Sequence, residues 1–285
     1  MYDSILIDGK NCLYRAIYAG LSDNFFVASG NSYCVIFFRF ISNYLQRFKP
    51  NSIHVFWESN KQNTWRRLIC PEYKEGRISR YENIDEVLGK NLVALKQLLP
   101  NMNCRMYELP NQEADDLIYA FCRVRSQSKI LIVSSDGDFK QISYEYANID
   151  VFNPLNKNNS IFSRELKNLV EIKSYMGEKG DNIDGYDKIG PVHAEELSID
   201  FQKRVKFFST NDKSLYLRNR RLIDLSLCPY LLENMEYIKD KLAENISFNI
   251  KEIMRVIQTY KIKGLSTEVH RTILPFKFIG RVRTT

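Results

Sequence analysis

Histidine is scarce in this 285-residue chain, three in all, and tryptophan scarcer at two. The six cysteines, Cys12, Cys34, Cys70, Cys104, Cys122 and Cys228, are scattered with no CxxC pair. That argues against thiol-liganded zinc and against a disulfide framework, and points to reduced thiols. Any metal chemistry here falls to carboxylates. Long apolar runs are also missing: Cys34 to Phe38, for one, is stopped by Arg39, far short of the roughly 20 residues that cross a bilayer. No basic segment followed by an apolar stretch opens the chain, so neither a membrane partner nor secretion is expected, and a cytoplasmic location is. Repeats, low-complexity tracts and a Gly/Ser linker are absent as well. This favours one compact unit over separate modules.

What is present suits a packed α/β protein. Apolar residues make up 44% and charged residues 26%, with 41 lysines and arginines against 34 acids, a formal charge of +7. A modest basic excess points towards a polyanionic partner. Three short apolar runs, Ile5-Leu6-Ile7, Ile53-His54-Val55-Phe56-Trp57 and Ile130-Leu131-Ile132-Val133, each run into an acid: Asp8, Glu58 and Asp136. Runs of this length rich in β-formers and ended by turn residues read as buried strands. Cys104 to Leu109 reads as a further strand. Helical signals lie between them, at Tyr33 to Phe48, in the Leu88, Leu92, Leu95, Leu99 stripe before Pro100, and at Asp115 to Arg125. Strands alternating with helices predict a mostly parallel sheet covered on both faces, and such sheets bind ligands beyond the carboxyl ends of their strands. Beyond about residue 165 the pattern turns to helices and turns, with Gly177, Gly180, Gly185 and Gly190 crowded together.

The acids concentrate at those strand ends. A lone acid after a strand is as readily a turn former or an N-cap, and the Asp136-Gly137-Asp138 and Glu178 to Asp181 segments as readily ordinary turns. Glu113, Asp115 and Asp116, three acids within four residues, would also sit well at a helix N-terminus. Taken together, however, these groups would raise one another's pKa unless cations neutralised them. Hard divalent ions with oxygen ligands answer that need, and a pair of them can drive phosphodiester cleavage. A basic chain with an acidic, metal-demanding pocket suggests a nuclease.

Five ordered motifs carry a closer likeness: Ile5-Leu6-Ile7-Asp8-Gly9, Cys70-Pro71-Glu72-Tyr73-Lys74, Glu113-Ala114-Asp115-Asp116, Ser135-Asp136-Gly137-Asp138, and Met176-Gly177-Glu178-Lys179-Gly180-Asp181-Asn182-Ile183-Asp184-Gly185. In this order they resemble the flap endonucleases, the 5′ nucleases that also form the nuclease domain of bacterial DNA polymerase I and occur as separate bacteriophage enzymes. The likeness runs from Ser4 to about Leu197, and the short polymerase-free chain is most similar to the phage form, which would place it in a host bacterial cytoplasm. It implies an α/β fold: a PIN-like mostly parallel sheet flanked by helices, with a helical arch and a helix-three-turn-helix DNA-binding element. The implied division is 1–165 for the nuclease core, with the arch at about 60–90, and 166–285 for the helical remainder packed onto it.

Carried over by position, the resemblance implies a first metal site of Asp8, Glu58, Glu113, Asp115, Asp116 and Asp136. It implies a second of Asp138, Glu178 and Asp181, with Asp115 and Asp136 open to sharing. Glu58 and Glu178 depart from the family, which usually has aspartates there. Two Mg2+ ions are the implied cofactors, with Mn2+ able to substitute. Asp8 and Asp136 with Lys74 and Arg77 form the implied catalytic set, the two cations contacting the scissile phosphate while Tyr73 stacks on an unpaired base. Arg66, Arg67 and Arg80 add positive charge suited to a threaded strand. A helix starting near Pro191 would aim free N–H groups at a duplex phosphate, with Gly185, Lys188 and Gly190 beside it. Lys188 stands where the family often has glycine and Val192 where it has lysine, departures that weigh against bound K+ and a strong duplex grip.

The expected activity is a structure-selective, two-metal 5′ nuclease, a monomer that cuts 5′ flaps and 5′ ends of duplex DNA in replication or primer removal. Two alternatives stay open. One is an RNA-directed nuclease acting on primer hybrids or as a PIN-type endoribonuclease; the other is a non-catalytic junction-binding factor. With nine acids assigned to metal, 25 remain against 41 basic residues, so the rest of the chain would carry a charge of +16.

Overall fold

The computed structural model describes residues 1–29, 32–59, 64–75, 84–156 and 168–280. In chain order the elements are β1 (Ser4–Asp8), α1 (Gly9–Leu21), α2 (Asn24–Ser29), α3 (Cys34–Phe48), β2 (Ser52–Phe56), α4 (Trp65–Ile69), α5 (Ile84–Leu98), β3 (Arg105–Tyr107), α6 (Ala114–Val124), β4 (Ile130–Val133), α7 (Lys140–Glu145) and β5 (Ile149–Phe152). There follow α8 (Leu169–Met176), β6 (Gly177–Glu178), β7 (Ile183–Asp184), α9 (Pro191–Ile199), α10 (Phe201–Thr210), α11 (Lys213–Ile223), α12 (Leu231–Ala243), α13 (Ile250–Thr259), α14 (Val269–Thr272) and α15 (Leu274–Lys277).

Five strands form one parallel sheet in the order β3-β2-β1-β4-β5. The chain steps outward from β1 through β2 to β3, then returns to the other side of β1 for β4 and β5. The order therefore reverses between β1 and β4, where a crevice opens beyond the strand ends. Every residue of β1 and of β4 is buried, which is why both read as unbroken apolar runs rather than alternating ones. One face of the sheet packs on α1, α3 and α5, joined by residues of α13 to α15. The other packs on α6, α7 and α12. Phe37 and Phe38 of α3 are fully buried, each stabilising the fold by about 1.5–3 kcal/mol.

The strands and helices expected at residues 53–57, 104–109, 33–48 and 115–125 stand at β2, β3, α3 and α6, within a few residues of the expected ends. In the sheet core, α1, α2, α7 and β5 went unforeseen. Past residue 165 the helices do two different jobs. α12 lies on α6, α13 on α5, and α14 and α15 on α3, so these cover the core. α8 to α11 instead build a separate cluster around Tyr175, Ala194, Leu197 and Tyr216.

Between α8 and α9 the chain folds into a small hairpin, β6 against β7 antiparallel. Two glycines make it possible. Gly177 has φ +67°, and a Cβ there would lie 2.2 Å from the Ile183 carbonyl oxygen; one on Gly185 would lie 2.0 Å from that of Met176. Both distances are far inside van der Waals contact, so only glycine lets these backbones meet.

Candidate active site and metal centres

Asp8 ends β1 and caps α1: Asn11 donates its N–H to Asp8 Oδ1 at 3.1 Å, and the Ser134 hydroxyl donates to Oδ2 at 3.1 Å. Asp115 stands in the first turn of α6, and Asp136 follows β4 with its N–H bonded to Ser134 Oγ at 3.1 Å. These three acids come from three elements that meet at the reversal of strand order. They line one cleft of about 340 Å3 together with Lys10, Tyr14, Tyr18, Glu58, Arg67, Lys74 and Glu113.

Their electrostatics are those of acids crowded without enough counter-charge. Burial pushes Asp8 up to about 6; the Asn11 hydrogen bond opposes that shift and the Asp136 charge adds to it. Asp115 is raised well above the usual carboxylate range by burial and then by Asp136, against the pull of Lys74. Asp136 is raised by burial and by Asp138. Glu113 differs: burial would raise it, but Lys74 and Arg66 outweigh burial and hold it at about 2.

A second group lies alongside. One carboxylate oxygen from each of Asp138, Glu178 and Asp181 lies within 4.8 Å of the others. The groups are joined through backbone and side chain, since Asp138 donates its N–H to Asp136 Oδ1 at 3.0 Å and Lys74 Nζ lies 2.7 Å from Glu113 and 3.9 Å from Asp181. The hairpin also positions Lys74. The Lys74 N–H bonds the Asp181 carbonyl at 2.9 Å, and the Asn182 amide donates to the carbonyls of Glu72 and Glu75 at 3.1 Å each. This docking holds Lys74 at φ 55°, a left-handed conformation that costs a non-glycine residue about 1 kcal/mol.

Several expected residues stand elsewhere. Asp116, expected as a metal ligand, is fully buried beneath the cleft, with its oxygens taken by Arg66 Nη2 at 2.9 Å, Arg66 Nη1 at 3.0 Å and the Trp65 indole at 3.1 Å. Arg66, expected on DNA, is buried in the same network and also bonds Glu113 at 2.6 Å and the Leu222 carbonyl at 2.9 Å. A buried guanidinium needs paired acids, and Glu113 with Asp116 supply them. Tyr73, expected to stack on a base, is only 4% exposed; its ring packs on Ile183, Leu222 and Ile223 and its hydroxyl donates to Glu113 at 3.2 Å. Glu58 reaches the cleft but is paired with Lys10. Arg67 lines the cleft, and Lys188 and Gly190 are exposed at the tip before α9. Gly185 lies within the hairpin, where its role is the close backbone approach. Arg77 and Arg80 lie outside the described residues.

Sequence reading missed Lys173, whose Nζ donates to both oxygens of Glu178 at 2.9 Å and to Asp138. It also missed Lys10, Asn11 and Ser134. Lys10 and Asn11 directly follow the Asp8-Gly9 motif, so reading α1 as a helix would have brought both to the cleft.

The family described as 5′-3′ exonuclease, N-terminal resolvase-like domain, matches residues 3–171. A 5′-3′ exonuclease of Buchnera aphidicola is 30% identical, the match covering 78% of this chain and 80% of that protein. The flap endonuclease Xni of Shewanella oneidensis is 28% identical over 72% of this chain and 78% of its own. DNA polymerase I of Streptococcus pneumoniae is 29% identical over 69% of this chain, which spans 24% of that longer enzyme. Among solved structures, T5 D15 protein co-crystallised with metal ions has the same fold, with TM-score 0.61, 17% identity, and coverage of 90% of this chain and 99% of that one. With more than half of its length matched by the family and that 30% identical relative covered over most of its own, this chain belongs to the 5′-3′ exonuclease family with an N-terminal resolvase-like domain.

Proposed function

We propose that this protein is a structure-selective, divalent-metal-dependent 5′ nuclease that hydrolyses phosphodiester bonds at 5′ flaps and 5′ ends of duplex DNA. The observation that carries it is the pairing of two carboxylate groups at the reversal of strand order, with Lys74 set between them. The family's relatives named as exonucleases and flap endonucleases support the same reading.

The donor set fits hard divalent cations. It is all oxygen, with no histidine or cysteine, and Asp8, Asp115 and Asp136 are held in a protonation-prone state that nearby positive charge would relieve. Asp8, Asp115 and Asp136 would hold one Mg2+ and Asp138, Glu178 and Asp181 the other, with Mn2+ able to substitute; the T5 D15 structures crystallised with metal ions are in keeping with this. Ions bound there would polarise the phosphodiester oxygens and acidify an attacking water.

The chain's own residues supply positioning and charge. Arg66 and Tyr73 orient Glu113, and Glu113 orients Lys74, whose ammonium faces the cleft between the two groups. A fixed cation there stabilises charge that develops on a phosphate, at no reorganisation cost during the reaction. Burial of Arg66 and of Asp116 makes this support rigid, because neither can leave without stranding the other. On the flank, α9 starts at Pro191, after Gly190, at an exposed N-terminus whose first-turn N–H groups suit a duplex phosphate. A titration of 5′-flap, blunt duplex and RNA-tailed substrates with Mg2+ tests the proposal. The wild type should cut the flap, and Asp136→Asn and Lys74→Ala should each lower kcat by at least about a hundredfold. Flap binding without cleavage under Mg2+ or Mn2+ would sink the nuclease reading; faster cutting of an RNA 5′ segment would move the substrate class to RNA.

A further inference from the structure

Lys173 has no part in the scheme above, yet its ammonium is embedded in the second carboxylate group. It donates to Glu178 Oε1 and Oε2, each at 2.9 Å, and to Asp138 Oδ1. We propose that Lys173 is the resident counter-ion of the Asp138, Glu178 and Asp181 group, keeping it assembled in the absence of metal and competing with the second divalent ion for its oxygens. The inference rests on the two-group metal reading of the preceding section.

Three observations carry it. The first is shared ligands: the ammonium pairs with Asp138 and Glu178, two of the three acids whose oxygens come within 4.8 Å of one another, so a small hard cation would compete for the same carboxylates. The second is local construction. Lys173 sits on α8, and Gly177 at φ +67° turns the chain back so that Glu178 meets it five residues later. The third is the room to leave. The Lys173 side chain keeps 20% of its surface exposed, and its flexible four-carbon stem can withdraw to water without unwinding α8. Lys74 does not duplicate this role, since its closer partner is Glu113 at 2.7 Å, against 3.9 Å to Asp181. The first group has no ammonium placed in this way across Asp8, Asp115 and Asp136 among the described residues. The two sites should therefore differ in affinity for a structural reason: one divalent ion enters a group of acids that no ammonium bonds across, and the other must displace a bound cation.

The test is a Mn2+ titration of the full chain without DNA, followed by calorimetry and by loss of the free-ion electron paramagnetic resonance signal. Wild type, Lys173→Met, Lys173→Arg and Asp138→Asn are compared. Wild type should bind one ion tightly and a second weakly. Lys173→Met should tighten the second event by about tenfold, the effect expected for removing a competing charge at a partly exposed site, and leave the first unchanged. Lys173→Arg should stay close to wild type, and Asp138→Asn should lose the second event, which identifies the site. A metal-free melt of Lys173→Met should fall below that of wild type, with a larger rise on adding Mn2+. If the methionine variant does not fold without metal, Lys173→Gln carries the same expectation. Equal or weaker second-ion binding in the neutral variants, with two ions bound throughout, would overturn the role of Lys173 while leaving the metal reading intact. Failure of wild type and variants alike to bind two ions would overturn both.

Discussion

Among single side chains, the acids of the site divide according to the cation each one meets. Glu113 and Asp116 face Arg66 and Lys74 and form a permanently paired foundation, whereas Asp8 is buried and Asp115 and Asp136 half-buried, with the charge of Lys74 too little to offset their crowding. Removing one partner of the foundation strands the others. Arg66→Met should therefore destabilise the protein by about 3–5 kcal/mol, read as a lower urea midpoint, and adding Asp116→Leu should restore part of that loss. The unpaired acids predict a pH dependence of the opposite kind to an ordinary salt bridge. A carboxyl raised from the usual 3.8 to about 6, as for Asp8, binds its proton more tightly in the folded state than in the unfolded one. Stability of the chelated protein should fall as pH rises from about 4 through about 6, by roughly 2–3 kcal/mol for a shift of this size. Glu113, held at about 2, acts in the other sense: its contribution is full above its usual value of 4.5 and is lost only as pH falls from there, so it leaves the fall towards pH 6 visible. Urea denaturation with EDTA at pH 5 and pH 8 checks the trend, and Mg2+ should stabilise the protein more at pH 8. A chelated protein more stable at pH 8 than at pH 5 would contradict the crowding.

Elements explain which parts of the site could be read from the chain. β1, β2 and β4 were legible because strands buried on both faces must be continuously apolar, and an acid just after such a run falls at the sheet edge. Asp8, Glu58 and Asp136 were placed that way. α1 was not legible because Asp8-Gly9 looks like a turn; Asp8 instead caps a helix that begins at once with Gly9. β5 escaped because Ile149–Phe152 is four residues long and contains Asp150. The burial of Arg66 and Tyr73 was hidden for a different reason: their partners lie 40 or more residues away, and basic or aromatic residues in a loop look the same whether they face solvent or core. The glycines at 177–190 marked this segment only as turns; the β6–β7 pairing they permit was not legible, and its consequence is that it braces Lys74. Gly177→Ala should strain both the φ +67° backbone and the contact with Ile183, at a cost of roughly 1–3 kcal/mol or more. Because Asp181 and Asn182 hold the turn at 72–75, cleavage should drop together with duplex affinity, and amide exchange should rise in α4 and the following turn as well as in the hairpin. Exchange confined to the hairpin would show that Lys74 is held by other means.

Charge at the scale of the whole molecule follows from how the site is built. The chain carries 41 basic residues and 34 acids, and nine of those acids were assigned to the site. Four cations, Lys10, Arg66, Lys74 and Lys173, are drawn into ion pairs with them, so the site as built carries five negative charges in place of nine. The remaining 25 acids and 37 basic residues leave the rest of the molecule at +12, short of the +16 reached when those four cations are counted outside. A body of that charge around an acidic centre binds a polyanion mainly by releasing counter-ions from its phosphates, and the acidic centre becomes favourable for a phosphate only when divalent ions fill it. Two separable salt effects result. With Asp136→Asn and chelator present, flap-DNA affinity should fall with monovalent salt with a log–log slope steeper than about −4, corresponding to roughly five phosphates neutralised. Adding Mn2+ to wild type under conditions that block turnover should tighten binding without steepening the slope, because divalent ions act at the centre and the basic surface is unchanged. A shallow slope, near the value for one or two phosphates, would mean that the +12 is spread over faces the duplex never meets, and would shift the grip from the body of the protein to the cleft and the α9 N-terminus.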